Sequence, residues 1–182
     1  MTNPQQSARS IADPHLRRAL QAIDTATADM PPEAWSVAPA GRWHVAHIIE
    51  HLGKTYERTA YILEKCVTDG APKGRTPSWR QRTFAMVVVR IGYFPTGIKA
   101  PEMTIPEGLP GMEALAYARQ NLLALDAAAS RCEARFGSAA WVANHPILGG
   151  FTVPQWRQFH WRHTWHHAKQ IAALRRRLES GA

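Results

Sequence analysis

The sequence predicts an all-α fold, a four-helix bundle with a long crossover that carries a shorter extra helix. Five segments combine helical periodicity with recognisable start and stop residues, and no segment shows the alternation of a surface strand. Four of these segments are long, which is the pattern of a bundle. The connection over residues 68–111 is much longer than a hairpin between helices needs. At 182 residues we expect one domain, residues 1–182, with residues 1–12 as a flexible N-terminus.

The first two helices are delimited by strong local signals. Asp13 can cap a helix whose first turn accepts Pro14, and the Met-Pro-Pro sequence at residues 30–32 ends that helix. The second helix is predicted over residues 43–67, and the Asp-Gly pair at residues 69–70 closes it. Both helices are therefore bounded by residues whose conformational preferences oppose further helix.

The third predicted helix, residues 78–93, lies within the crossover. Its Val-Val-Val run at residues 87–89 would suit a strand, but residues 79–86 before it are better helix formers. A stretch rich in proline and glycine, residues 95–111, then leads to the fourth helix. The crossover is therefore expected to hold one short helix and otherwise irregular chain.

The last two helices are separated by a predicted loop. The fourth helix, residues 112–136, is rich in Ala and Leu and stops at the glycine that follows it. Residues 137–151 are predicted to be irregular. Thr152 and Gln155 can then form a capping box, which starts a fifth helix that runs to about residue 179.

The nine histidines and seven tryptophans set this chain apart, and many of them cluster on two of the helices. A helical projection places polar residues on one face of each helix, where an ordinary bundle helix would show Leu or Ile. On the second helix this face holds His44, His47, His51 and Arg58, and on the last it holds Trp156, His160, His163, His167 and Gln170, with His166 at its edge. Because buried polar groups need partners, the two stripes indicate a metal site or a water-filled cleft.

The spacing of the histidines is typical of a metal site. His163 and His167 are four residues apart on one helix, so their rings point the same way and can share one ion. A histidine from the second helix would complete a three-nitrogen site with an open coordination position, as in catalytic zinc centres. His51 is one candidate, but His47 and His51 are also four apart, so spacing alone permits a four-histidine site. Zn, Ni and Fe all suit imidazole ligands.

Two sets of residues resemble a known family. The pattern Trp43-x7-His51-Leu52, followed by His163-x3-His167-x2-Gln170, resembles the DinB-like superfamily of metal-dependent helical bundles. The segments His145-Pro146-x2-Gly149, Thr152-x3-Trp156 and His163-x2-His166-His167-x2-Gln170 are similar to one uncharacterised branch of it. The likeness covers nearly the whole chain, although residues 68–111 contribute little.

The resemblance implies roles for particular residues. It implies that His51, His163 and His167 are the metal ligands and that Gln170 supports them, and it moves His47 to the surroundings of the site. Characterised members of the superfamily are thiol-dependent transferases and isomerases, and others bind nickel, zinc or iron. A divalent metal, Zn, Ni or Fe, is therefore the expected cofactor.

A three-histidine site with an open position favours a metal-dependent enzyme acting on a small molecule, a transferase (thiol-dependent, as the resemblance implies) or a hydrolase. His47 or His160 could carry a proton beside the ion. Arg58 could anchor an anionic substrate or could be solvated, and His145 could line the mouth of the cleft or brace its own turn. The alternative is a metal-binding bundle without catalysis.

The partner predictions come from charge and from one aromatic face. A net charge of +8 and a pI of about 10.1 raise nucleic acid as a partner, but the basic residues are spread out except at residues 175–177, so nucleic-acid binding is disfavoured.

Trp161 and Trp165 lie opposite the histidines, and we expect their face to pack under residues 78–93 or to form a homodimer interface, with the homodimer favoured. Neither a signal-like N-terminus nor a long apolar run is present, which predicts a cytoplasmic protein without membrane contact.

Overall fold

A computed structural model of the chain describes residues 11–93 and 99–180. Five α-helices dominate it, and the all-α prediction is confirmed. They are α1 (Pro14–Thr27), α2 (Val45–Asp69), α3 (Trp79–Met86), α4 (Gly111–Phe136) and α5 (Val153–Glu179). Two 3₁₀ turns, Pro32–Trp35 and Glu102–Thr104, lie in the connections. The predicted flexible N-terminus falls largely on residues 1–10, and part of the predicted crossover falls on residues 94–98; both lie outside the described residues.

The folded part of the chain begins two residues before the predicted boundary, at residue 11. Ile11 is fully buried, and the backbone N–H of Ala12 donates to Asp126 Oδ2 at 2.7 Å. Asp13 caps α1 by accepting from the backbone N–H groups of His15 and Leu16. Residues 11 and 12 are therefore part of the folded domain, because the long-range bond to α4 and the burial of Ile11 hold them in place.

The direction of the helices explains the long crossover. Arg119 of α4 bonds Asp24 of α1, while Ala12 bonds Asp126, so α1 and α4 run antiparallel. By contrast α2 and α4 run parallel, since Gly53 lies against Tyr117 and the later residue Glu64 pairs with Arg131. Two parallel neighbours cannot be joined by a hairpin, so the chain between α2 and α4 must return along the length of the bundle.

The core lies between the helices and is filled mainly by aliphatic side chains. Alanines on α4 (Ala114, Ala118, Ala128 and Ala129) are buried, and their small size allows α2 to pack closely along α4. Gly53 marks the closest approach, because a Cβ there would come within 2.4 Å of the Tyr117 ring. In residues 11–93 and 99–180 no helix has both the length and the apolar character needed to cross a bilayer.

The stretch predicted as an irregular loop contains a small hairpin instead. Strands β1 (Ala143–His145) and β2 (Gly149–Phe151) pair antiparallel, with His145 opposite Gly149. Three-residue strands are too short to show an alternation of apolar and polar residues, which is why the sequence pattern did not reveal them. The hairpin packs on α5, where Phe151 contacts Trp156 with ring centroids 5.1 Å apart.

The predicted third helix is present but changes character. Ser78 and Gln81 form a capping box at its start, and α3 then passes into a π-helical turn, Val87–Ile91. This wider turn ends at Gly92, whose φ of +78° is in the left-handed region that suits glycine. Arg162 of α5 donates to the carbonyl of Arg90 at 2.8 Å, which ties this segment to the last helix.

Candidate metal centre

Three histidines from two antiparallel helices meet at one point of the bundle. His51 lies on α2, and His163 and His167 lie one turn apart on α5. One ring nitrogen of each lies within 4.8 Å of the others. The His51 Nε2 to His163 Nε2 distance is 3.4 Å, and the His163 Nε2 to His167 Nε2 distance is 3.1 Å. The structure thus brings together the three residues that the sequence singled out as ligands.

In two of the three rings, a hydrogen bond at Nδ1, the ring nitrogen that points away from the cluster, determines that Nε2 carries the lone pair. The Nδ1 of His51 lies 2.8 Å from the carbonyl oxygen of Thr104, which can only accept, so Nδ1 carries the proton and Nε2 a lone pair. Gln170 places its Nε2 3.0 Å from His166 and its Oε1 2.8 Å from His167 Nδ1. His167 therefore donates from Nδ1 and also directs an Nε2 lone pair inward.

This arrangement fits a divalent metal ion. Two inward lone pairs flank the Nε2 of His163, and a single proton there could satisfy only one of them. A cation satisfies all three nitrogens at once. Metal–imidazole bonds of about 2.0–2.1 Å at near-tetrahedral angles separate the nitrogens by about 3.4 Å, close to the two distances observed. Metal-ligating histidines usually donate a hydrogen bond from the ring nitrogen that does not bind the metal. Here His51 donates in this way to the Thr104 carbonyl, and His167 donates to the Gln170 side-chain amide.

The electrostatics of the cluster keep the imidazoles neutral, which is the form that binds a metal. Burial lowers the pKa of His51, although its bond to the Thr104 carbonyl opposes this effect. Burial also lowers the pKa of His167 to about 3, with a further contribution from the neighbouring His51. The pKa of His163 lies well below its usual value, because of burial first and then of His167 and His51.

Aromatic rings cover the cluster. The ring of Trp43 lies 5.0 Å from that of His51, and Phe159 stacks on His163 with centroids 5.4 Å apart and planes 11° from parallel. His51 and His167 are only 4% and 7% exposed, whereas His163 is half-buried. The cluster is therefore largely shielded from solvent.

A buried glutamate anchors the chain that supports His51. Glu50 accepts three backbone hydrogen bonds, from Glu107 at 2.7 Å and from Gly108 and Leu109 at 2.9 Å each. Burial raises the pKa of its carboxyl, but the three N–H donors and Lys54 outweigh that effect and the net pKa is lowered. The anchored residues follow Thr104 closely, so Glu50 helps to fix the carbonyl that orients His51.

A second polar contact between α2 and α5 lies one turn away from the three histidines. His160 Nε2 lies 3.0 Å from the hydroxyl of Thr59, and Tyr56 shares a short hydrogen bond with Thr164. All four side chains are buried. These bonds help fix the register of the two helices, and with it the separation of His51 from the pair on α5.

The two predicted proton carriers occupy different environments. His160 is 1% exposed, its Nε2 is held by Thr59, and burial lowers its pKa to about 3. It faces the core contact rather than the three ligand nitrogens. His47 is half-buried one turn before His51, and within the described part of the chain its buried Nδ1 has no hydrogen-bond partner.

Three of the other predicted site residues have local structural roles. His44 is the N-cap of α2, where its Nδ1 accepts from the backbone N–H of His47 and its ring stacks on His47 at 3.5 Å. His145 accepts from the N–H groups of Ile147 and Leu148, which braces the hairpin turn as the second reading of this residue supposed. Gln170 bridges His166 and His167, as described above.

Arg58 and Trp156 do not contact the cluster. Arg58 is exposed and lies over the ring of Tyr61 at 5.4 Å, which agrees with the alternative that this residue is solvated. The histidine face of α2 is not covered along its whole length, because α5 crosses α2 at Tyr56 and Thr59. Trp156 is buried and stacks on His160 with centroids 5.8 Å apart.

The structure shows the surroundings of the second aromatic face. Trp161 and Trp165 line a groove between α5 and α1. Arg162, on the same helix, makes a hydrogen bond with the segment of residues 78–93. The projection placed both tryptophans opposite the histidines correctly, but it could not show which helix lies on that side.

The residues that support the site could hardly be recognised from the sequence. Thr104 acts through its backbone carbonyl, which any residue could supply, and Glu50 looked like an ordinary charged residue of an amphipathic helix. Burial of Glu50 among three backbone donors is visible only in the folded chain. For Tyr56, Thr59 and Thr164 the available signal was their position on the inward faces of α2 and α5.

Comparison with known proteins decides the family. The family model described as the DinB superfamily matches residues 15–171, which is most of the chain. The chain belongs to the DinB superfamily. No curated protein and no solved structure gives a significant match. Membership of the DinB superfamily agrees with the helical architecture, and the three-histidine cluster is compatible with the metal association of that superfamily.

Proposed function

We propose that this DinB superfamily protein is a metal-dependent enzyme whose divalent ion, Zn, Ni or Fe, is held by His51, His163 and His167. The observation that carries the proposal is the convergence of three imidazole nitrogens, two of them on rings already oriented by Thr104 and Gln170. A bound ion would supply Lewis acidity and would lower the pKa of a coordinated water or thiol. A transferase of small molecules using a thiol, or a hydrolase, is the activity that this chemistry suits best.

The chain's own residues would orient the site and limit its access to water. Thr104 and Gln170 hold two of the rings in position, which reduces the reorganisation needed on binding. Trp43 and Phe159 shield the histidines, which limits the access of bulk water to the three nitrogens.

His47 is the group that we propose to carry a proton during the reaction. It lies one turn from His51, and its Nδ1 is buried without a partner among the described residues. An unengaged ring nitrogen can accept or donate a proton without breaking another bond. His160 is less suited to this role because Thr59 holds its Nε2 within the core.

The deep burial of the cluster favours one second candidate, a metal-binding bundle without catalysis. His51 and His167 are almost inaccessible, and structural metal sites are typically closed in this way. The two candidates share the same ligands and differ in whether a fourth coordination position can be reached by a substrate.

Metal analysis tests the site. The protein, purified without a histidine tag, is expected to contain about one divalent ion per chain by elemental analysis, and the combined variant His51→Ala, His163→Ala and His167→Ala is expected to contain almost none. His15→Ala is the matched control, because His15 lies at the start of α1 and should leave the metal content unchanged. Metal that is absent from the parent protein, or that survives in the triple variant, contradicts the assignment.

Turnover distinguishes the enzyme from the scaffold. The metal-loaded protein would be assayed for ester hydrolysis with 4-nitrophenyl acetate and for thiol transfer with cysteamine and 1-chloro-2,4-dinitrobenzene. An enzyme should show saturable turnover that disappears in the triple variant and falls by about 10²-fold or more in His47→Gln, with the metal content of the latter retained. Stoichiometric metal with no turnover above the triple variant supports the scaffold.

A further inference from the structure

A groove of about 540 Å³ runs between α1 and α5, on the side of α5 opposite the three histidines. Its floor consists of Ala22 and Ala26 from α1 and Ala168 and Ala172 from α5. These alanines are spaced four apart on each helix, so their short side chains leave a continuous apolar trough between two parallel helices. We call it the α1–α5 groove.

Two tryptophans form an aromatic wall of the α1–α5 groove. The rings of Trp161 and Trp165 lie 5.5 Å apart and 39° from parallel. Trp165 is 45% exposed, which is a large apolar area to leave in water. Such a wall offers a stacking surface for a flat apolar group.

The groove is strongly cationic, and among the residues that the structure describes no acidic one lines it. Four cationic side chains, those of Arg18, Lys169, Arg175 and Arg176, line it. Arg175 is engaged, because it donates to the carbonyls of Ala26 and Ala28 at the end of α1. Arg18 and Lys169 form no ion pair with any acid that the structure describes.

We propose that the α1–α5 groove binds a small molecule that joins a flat apolar body to a carboxylate or phosphate group. The apolar body would lie on the alanine floor against Trp165, and the anionic group would pair with Arg18 and Lys169. The volume of the groove is within the range of sites for small organic ligands. Cations that lack an acidic partner beside an exposed aromatic wall are complementary to an anionic group attached to a flat apolar body.

The charge of the groove argues against a second copy of the chain as its occupant. A two-fold interface places the same patch on both partners, so Arg18 and Lys169 of one copy would face those of the other. Like charges brought together in this way oppose association.

The site is independent of the proposed metal centre. Trp161 and Trp165 point away from His163 on the same helix, and the floor of the groove is shared with α1 rather than α2. Changes in the groove should therefore leave the metal content of the protein unaltered.

Calorimetric titration of the full chain with 2-naphthoate tests the proposal. We expect one saturable site per chain, an affinity at least about tenfold lower for Trp165→Ala, and a similar loss for Arg18→Gln combined with Lys169→Gln. The neutral analogue 2-naphthamide should bind at least about tenfold more weakly, and higher salt should weaken the binding of the anion. All three substituted side chains line the surface groove, so circular dichroism is expected to be unchanged.

A matched control comes from another exposed tryptophan–arginine pair. Trp79 is 72% exposed and Arg80 lies over its ring at 5.3 Å, so Trp79→Ala with Arg80→Gln removes the same chemistry elsewhere. This variant should bind 2-naphthoate as the parent does. Equal binding of 2-naphthoate and 2-naphthamide, an affinity unchanged in the groove variants, or no saturable site overturns the proposal. A dimer by light scattering that dissociates in Trp165→Ala also overturns it, because a second copy would then occupy the groove.

Discussion

Replacing Glu50 with glutamine tests whether the crossover is anchored to α2 by one buried carboxylate. Glu50 is 1% exposed, and its two oxygens accept from three consecutive backbone N–H groups. Glutamine keeps one acceptor oxygen, which can serve Gly108 and Leu109, but it turns its amide N–H₂ towards the N–H of Glu107. One bond is then lost and two donors face each other.

The size of the effect follows from these contacts. A hydrogen bond to a charged group contributes about 1.5–3 kcal/mol, and a donor left unsatisfied costs a similar amount. For Glu50→Gln we therefore expect a loss of about 2–3 kcal/mol in the free energy of unfolding, with a larger loss for Glu50→Ala. Because the anchored residues support the Thr104 carbonyl that orients His51, metal affinity should also fall about tenfold.

Urea unfolding of the metal-free protein measures the first effect, and competition with a chelating dye measures the second. Lys65→Met is the control, since it removes an exposed ion pair with Asp69 on the same helix and should cost less than about 1 kcal/mol. The pKa of Glu50 is lowered in the folded chain, so its contribution is present above its ordinary pKa and is lost as the pH falls through the lower folded value. A Glu50→Gln protein within 0.5 kcal/mol of the parent (roughly the scatter of neutral surface substitutions) and with unchanged metal affinity would refute the reasoning.

Two further predictions concern buried histidines and one glycine. The folded pKa values of His160 (about 3) and His145 (about 4) lie below the ordinary 6.5, so the unfolded chain binds protons first and stability falls as the pH drops below about 6.5. Each of these two histidines should lower the free energy of unfolding by up to about 2 kcal/mol between pH 7 and pH 5, as measured by urea unfolding of the metal-free protein. A free energy of unfolding that does not change with pH over this range would contradict the prediction. A Cβ on Gly150 would lie 2.0 Å from the carbonyl oxygen of Arg75, so Gly150→Ala should destabilise by about 1–3 kcal/mol, and an unchanged melting temperature would show that the hairpin can shift freely.

The helices were predictable because their signals are local. Asp13, Ser78 and Thr152 cap helices where the sequence placed starts, and each cap is a contact between residues two or three apart. The hairpin at residues 143–151 was missed because strands of three residues are too short for an alternation of apolar and polar residues to be recognised. A projection could not decide between the two alternatives for Arg58, because it does not show that α5 covers the face of α2 over a limited length only.

The candidate site also has a part that follows from local sequence and a part that follows from tertiary packing. The pairing of His163 with His167 was determined by the sequence alone, because residues four apart on a rigid helix must face the same direction. Spacing left open which histidine of α2 joins them, and the family resemblance alone implied His51. The physical cause is packing, because the contacts of Tyr56 and Thr59 with α5 set the register that brings His51 to His163. The Thr104 carbonyl and the α1–α5 groove likewise depend on elements far apart in the chain. The periodicity of the sequence determines which side chains share one face of a helix, because helix geometry is local. Only the packing of the helices determines which residues of another helix contact that face.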